Sequence, residues 1–326
     1  MGGGGQPSTL SVFKEEYAML KRLLDCNTTD LESMNKDQIL KSIAMSEGRI
    51  LACETIGAVQ PMLGNITNAE FVCAMGADVV ILNMFDVIEP QIWGLPKVEP
   101  KDTIREIKRL TGRLIAVNLE PAEQSFSAGS DEDIWSLTNG RRASLQNAKT
   151  AVSMGADMIV LTGNPGIGVQ NKAITASLKA IAPELGDKVI LVAGKMHASG
   201  ILSEAGRGII TREDISEFAD AGADVILLPA PGTVPGVTME YIRELVSYAH
   251  SLGLLTLTAV GTSQEGADQQ TIRQIALMCK MTGTDMHHLG DAGYIGMALP
   301  ENIMAYSAAI KGIRHTYRRM ARSINR

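Results

Sequence analysis

Glu54, Glu120, Lys195 and His197 have the side-chain types that carry acid–base and covalent catalysis, and each lies at or just beyond the end of an apolar run. The runs are RILACE for Glu54, RLIAVNLE for Glu120 and KVILVAGK for Lys195, with His197 two residues further on in GKMHASG. A lysine held among apolar neighbours has a lowered pKa, so its neutral amine can attack a carbonyl or abstract a proton. A nearby carboxylate can relay that proton, and a loop histidine can act as general acid. The competing expectation is a structural ion pair between Glu120 and Lys195, because buried charge is costly unless paired.

Two glycine-rich turns near the C-terminal end supply a second kind of chemistry. Val260 to Gly266 (VGTSQEG) and His287 to Gly296 (HHLGDAGYIG) each follow an apolar run and precede a helical pattern. Backbone N–H groups at such turns bind anions, so Gly261, Thr262, Ser263, Gly290, Asp291, Ala292 and Gly293 are expected to hold a phosphate. Each turn also carries an acid, Glu265 or Asp291. A carboxylate aimed at a phosphate repels it, so these acids must turn away, cap helices, or bind hydroxyl or metal. Asn83, Asn118, Thr162, Asn164 and His288 complete the polar set and are expected to bind substrate. His287 and His288 are adjacent on one strand and point to opposite faces, and the alignment of strand ends puts His288 inside. Asp86 and Glu120 form a candidate oxygen pair for a hard cation such as Mg2+.

An internal repeat specifies the elements that must position these groups. MGADVVILN, MGADMIVLT, AGADVILLP and TGTDMHHLG start at Met75, Met154, Ala221 and Thr282, intervals of 79, 67 and 61 residues. In each, glycine ends a helix in a left-handed cap and an apolar run follows, as a parallel strand buried on both faces requires. Four further runs, from Arg49, Arg113, Lys188 and Leu254, alternate with them. Eight strands in four similar quarters predict a (β/α)8 TIM barrel over 48–326 rather than a doubly wound sheet. Residues 1–47 are read as a flexible start, then two extension helices, Leu10–Leu24 and Asn35–Ser46, with a break at Asp25–Asp30. These helices are expected to cap the N-terminal end of the barrel or to join subunits of a homo-oligomer. Aligning the odd strands puts Glu54, Asn118, Ala193 and Ala259 at one level, with Ile56, Glu120, Lys195 and Gly261 two residues on.

Composition excludes several classes of function. A net charge of −6 and a pI near 5.5 leave no electrostatic footprint for nucleic acid or an anionic membrane. Apolar runs are broken well before the ~18 residues of a membrane span. The four cysteines form no CxxC pair and no zinc spacing, and no signal peptide is evident, so a cytoplasmic location is expected.

Through GTSQEG, GDAGYIG and the GAD repeats the chain resembles the phosphate-binding (β/α)8 barrels. From Leu23 to its end it also resembles an uncharacterised bacterial family whose members are often labelled haloacid-dehalogenase-like hydrolases or PEP-phosphonomutase-like proteins. The first label implies an aspartate nucleophile in a DxDxT strand end, which does not occur here; the second implies an acidic metal site, for which Asp86 and Glu120 are the candidates. The expected function is an enzyme of a small phosphorylated carbonyl metabolite, of the sugar-phosphate kind, working by aldol-type lyase or isomerase chemistry. An Mg2+-dependent phosphonomutase-like or C–C lyase enzyme and a non-catalytic metabolite-binding barrel are the alternatives.

Overall fold

The computed structural model describes residues 20–122, 136–163, 169–198, 200–202 and 205–326. Eight strands close into a parallel barrel in sequence order: β1 (Ile50–Ile56), β2 (Val79–Asn83), β3 (Leu114–Leu119), β4 (Met158–Leu161), β5 (Ile190–Gly194), β6 (Val225–Pro229), β7 (Leu255–Val260) and β8 (Met286–Leu289). β8 pairs back onto β1, with His287 opposite Leu51. The chain is a (β/α)8 TIM barrel, and every strand falls on one of the eight apolar runs.

Two extension helices, α1 (Thr28–Ser33) and α2 (Lys36–Ala44), precede the barrel. Eight more alternate with its strands: α3 (Asn68–Ala74), α4 (Thr103–Thr111), α5 (Leu145–Met154), α6 (Asn171–Leu185), α7 (Arg212–Asp220), α8 (Met239–Ser251), α9 (Gln269–Thr282) and α10 (Pro300–Ala321). The expected break at Asp25–Asp30 is instead where α1 begins, because the Asp30 carboxylate accepts the N–H of Asn27 and so starts a helix in a polar stretch. Of the expected helix Leu10–Leu24, residues 10–19 lie outside the described residues and Leu23–Asp25 forms a single 3-10 turn. α2 follows its N-cap, Asn35, as expected. Leu23, Cys26, Leu31, Ile39 and Ile43 pack with the inward side chains of the strands, among them Ile50, Val79, Leu114 and Met286. The extension thus closes the floor of the barrel.

The GAD repeat has a physical task. Gly76, Gly155, Gly222 and Gly283 all take left-handed φ at the helix ends, and the aspartate two residues later turns back on the preceding strand. The carboxylates of Asp78, Asp157, Asp224 and Asp285 accept the N–H of Leu51, Ile115, Leu191 and Thr256, each the second residue of its strand, at 2.7–2.9 Å. Each carboxylate also meets a basic side chain: Lys311 and Arg319 at Asp78, Lys108 at Asp157, Lys36 at Asp224, His250 at Asp285. Asp78 is enclosed with its partners; burial pushes its pKa up, but Lys311 and Arg319 outweigh burial and bring it below the usual carboxylate value. Charge-assisted bonds of this kind exceed neutral ones in strength.

The four pairings differ in enclosure, so their removal should differ in cost. Asp78→Ala strands two buried cations and should cost about 3–5 kcal/mol. Asp285→Ala, facing the half-exposed His250, should cost on the order of 1–2 kcal/mol. Urea denaturation of the two variants measures this, and equal losses would contradict the ranking.

Candidate active site

Inward-facing positions along the strands decide what reaches the C-terminal mouth. Ile50, Ala52, Val79, Ile81, Leu114, Ala116, Met158, Val160, Ile190 and Val192 form the interior, so the next inward positions are Glu54, Asn83, Asn118 and Thr162. β8 is registered with His288 between Ala52 and Ala259, which turns His288 inward. His287 faces the helices, between the Tyr306 hydroxyl and the Gly48 carbonyl; burial pushes its pKa down to about 3, so it is neutral.

The alignment of odd strands fails at β5. Ile190 pairs with Met158, and the inward residues are Ile190 and Val192, so Ala193 packs outward against the helices. The cause is the Asp187–Lys188 turn after α6, in which the N–H of Lys188 donates to Leu185; the strand starts two residues after Lys188. Gly194 then takes φ +153, with its backbone too close to the Leu227 carbonyl for any Cβ. This breaks the alternation before Lys195. Lys195 is 1% exposed and does not line the cleft, whereas its neighbours Met196 and His197 do. Burial pulls the pKa of His197 below the usual histidine value, with Glu54 raising it and Lys195 lowering it further.

A cleft of about 940 Å³ opens above the interior, walled by Glu54, Asn83, Asn118, Glu120, Thr162 and the turns after β5 to β8. Glu54 lies 3.2 Å from Nε2 of His288. The amide of Asn83 links two strands to the β8 turn: its Oδ1 accepts from Met84 N–H and from Asn118 Nδ2, so its Nδ2 is turned to donate to Asp291 Oδ2 at 2.8 Å. Burial first, then Glu54, raises the Asp291 carboxyl to about 7, against the opposing bonds from Asn83 and Gly293. Glu265 is raised in the same direction, by burial and by Glu54. Three acids therefore crowd the β1, β7 and β8 sector.

This crowding alters the expected phosphate site. The N–H of Ala292 donates to Glu265 Oε1 at 3.1 Å, and that of Gly293 donates to Asp291 Oδ1 at 2.8 Å. Two of the expected donors thus hold the protein's own carboxylates; anion-binding amides were legible in the glycines, but their intramolecular occupants were not. Gly261, Thr262 and Ser263 line the cleft, and the N–H groups of Thr262 and Ser263 meet no acceptor among the described residues. Met84, Thr262, Ser263 and Ala292 all have left-handed φ, 54–67°, which costs roughly 1–2 kcal/mol each without glycine. Strain of this kind collects at functional sites.

Glu120 does not meet Lys195 in the described contacts. Its Oε1 accepts from Arg141 Nε at 3.0 Å and Nη2 at 2.5 Å, both side chains being buried. Burial raises the Glu120 pKa, and Arg141 opposes that rise. Arg141 escaped the sequence reading because NGRRAS belongs to no apolar run; its one signal is a cation in a glycine turn before a helix. Asp86 is not part of the cleft: its carboxylate accepts from Ile88 N–H, Glu89 N–H and the Thr138 hydroxyl, closing a turn. With Glu120 held by Arg141, the pair does not fit an Mg2+ ion, and among the described residues no group of three His, Cys, Asp or Glu side chains is arranged to hold a metal. Asn164 lies outside the described residues. Five buried polar atoms at or beside the cleft lack a partner among the described residues: Asn118 Oδ1, Thr162 Oγ1, Gln264 Oε1, Glu265 Oε2 and His288 Nδ1. Unpaired buried polar atoms are rare in folded proteins and mark places where a ligand completes the bonding.

The family model described as a domain of unknown function, DUF7916, matches residues 24–326. The chain belongs to that family. No curated protein matches it. Among solved structures, an archaeal fructose 1,6-bisphosphate aldolase superposes with TM-score 0.53 at 13% identity, over 84% of this chain and 99% of the other. A Schiff-base-forming fructose-1,6-bisphosphate aldolase gives 0.52 at 12% identity, over 83% and 99%. An archaeal aldolase of the same kind, with its catalytic Lys bound to the carbinolamine intermediate, gives 0.52 at 13%, over 83% and 99%. At these identities the likeness is one of fold. No helix among the described residues is long and apolar enough to cross a membrane.

Asp291 gives the site a pH signature. Its folded pKa, about 7, lies above its ordinary 3.8, so between these values the folded chain holds a proton that the unfolded chain has lost. The stability from that proton is complete below the ordinary value and lost as pH rises through the folded one. Asp291→Asn should flatten this fall, gaining on the wild type as pH increases across the window. Denaturation at a series of pH values tests it, and parallel curves would contradict it.

Proposed function

We propose that the cleft is the active site of an enzyme that acts on a small phosphorylated carbonyl metabolite by aldol-type lyase or isomerase chemistry. The observation that carries this reading is Asp291, a carboxyl raised to about 7 and aimed by Asn83 at the mouth of a deep cleft. A base of that strength gains and loses protons at neutral pH, as general acid–base catalysis requires. Glu54 and His288, 3.2 Å apart, supply a second proton-transfer pair within the same sector.

In an aldol cleavage the base takes the proton from the hydroxyl β to the carbonyl. The bond between the α and β carbons breaks, its electron pair passes to the α carbon as an enolate, and an acid protonates that carbon. In an isomerisation the same base takes the proton from the α carbon and an acid returns one to the carbonyl carbon, while the proton of the α hydroxyl passes to the former carbonyl oxygen. The phosphate of such a substrate is assigned to the N–H groups of Thr262 and Ser263, since those after β8 serve Glu265 and Asp291. Thr162, whose hydroxyl has no partner among the described residues, is assigned to a substrate hydroxyl.

A covalent version is favoured by one observation: Lys195 is a buried lysine directly before the cleft residues Met196 and His197. One superposed aldolase is Schiff-base-forming, and another has its catalytic Lys covalently bound to the carbinolamine intermediate. Borohydride reduction during turnover would leave substrate mass on Lys195 in this version and none in the acid–base version. Mg2+ is given no role, because Asp86 has both oxygens engaged in its own turn, outside the cleft, and Glu120 pairs through Oε1 with the Arg141 guanidinium.

Asp291→Asn should lower kcat by about 10²–10⁴ for a phosphorylated ketose or aldose that the wild type converts, with KM little changed. Steady-state assays over a panel of such compounds test this. Ligands that raise the melting temperature without any product would support a binding barrel instead, and an undiminished kcat would remove Asp291 from the chemistry.

A further inference from the structure

The β1, β7 and β8 sector has more hydrogen-bond acceptors than the described residues satisfy. Glu265 and Asp291 set one oxygen each on the successive amides of Ala292 and Gly293, so their carboxylates lie side by side on one turn. Glu54 stands close enough to raise both, and its own partner is His288. Glu265 is enclosed, and its second oxygen, Oε2, meets no donor among the described residues.

A second observation points the same way from the opposite wall. Asn118 is 5% exposed, lines the cleft, and is fixed by its Nδ2 bond to Asn83, the residue that holds Asp291. That bond leaves Oδ1 turned away from Asn83 and without a donor among the described residues. Gln264 Oε1, also in the lining, is in the same state. Two of the unpaired cleft atoms, the amide oxygens of Asn118 and Gln264, are thus pure acceptors, and Glu265 Oε2 is a third when its carboxyl is ionised. The cleft's arginine, Arg141, is engaged at two nitrogens by Glu120.

From this arrangement we propose that the substrate carries an ammonium group, bound between Glu265, Asp291 and Glu54 with Asn118 facing it. An ammonium brings three donors and no acceptor. It also compensates Glu265 and Asp291, whose hydrogen-bond partners among the described residues are backbone amides and the Asn83 side chain, and an unpaired buried charge is strongly unfavourable. A hydroxyl brings one donor, and turns its own lone pairs on the carboxylates. The inference rests on the cleft being the substrate site and adds the substrate's class: an amine-bearing hydroxycarbonyl compound.

The test is calorimetric titration of the full chain with 2-amino-1,3-propanediol and with glycerol, which share a skeleton and differ by ammonium against hydroxyl. At low salt and about pH 8, above the Asp291 value of about 7, the amine should bind at least about tenfold more tightly. Glu265→Gln and Asp291→Asn, both isosteric, should each cut its affinity about fivefold or more and leave that of glycerol within about twofold. Circular dichroism verifies that each variant is folded, and either folded variant suffices. Equal affinities, no binding of either compound, or an amine preference that survives the substitutions would overturn the proposal. Turnover of amine-free substrates with no amine preference would remove this inference and leave the active-site reading intact. Amine binding with no turnover of any substrate would do the reverse.

Discussion

The structure depends on one repeated interaction, an aspartate that binds the second N–H of the strand before it. Register decides what reaches the mouth, because a slip of one residue exchanges every side chain of a strand between the two faces. Asp78, Asp157, Asp224 and Asp285 oppose that slip once in each quarter, and their basic partners tie the clip to a helix. All the polar convergence at the mouth follows. Shift β1 by one residue and Cys53, not Glu54, meets the cleft; shift β8 and the neutral, helix-facing His287 replaces His288.

The opposite end of the barrel accepts a different balance. At the floor Asp78, Asp157 and Asp224 each have a lysine or arginine and Asp285 has His250; at the mouth Glu54, Glu265 and Asp291 share one sector and, among the described residues, mainly meet amides and a histidine. Burial and the nearby Glu54 then favour the protonated forms of Glu265 and Asp291, which is how the Asp291 carboxyl comes to titrate near neutrality. One residue type, in one fold, thus serves as a structural anion at one end and a proton carrier at the other. Environment alone separates the two roles.

Much of the fold was legible in the sequence, because strands buried on both faces leave continuous apolar runs and helix ends leave glycines. All eight strands and the four left-handed glycines Gly76, Gly155, Gly222 and Gly283 could be placed from those patterns. α1 could not, since one Asp30 to Asn27 bond starts it in a stretch with no apolar period. The site was legible where it follows strand parity, as at Asn83, Asn118 and His288. It was hidden where loops bring distant groups together: the β5 slip that removes Lys195 from the cleft wall, the Arg141 partner of Glu120, and the acids that fill the β8 turn. Side-chain pairs across loops have no period, so pattern alone does not reveal them.

The central claim is that the Asp291 carboxyl, crowded by Glu54 and Glu265 and held by Asn83, exchanges its proton near neutral pH. The most direct measurement is the 13C chemical shift of the Asp291 side-chain carboxyl followed by NMR across a pH titration, assigned with Asp291→Asn. A midpoint about three units above the ordinary aspartate value, moving down when Glu54 or Glu265 is made glutamine, is the result predicted here. A midpoint near the ordinary value of about 4, unmoved by those substitutions, would contradict the account.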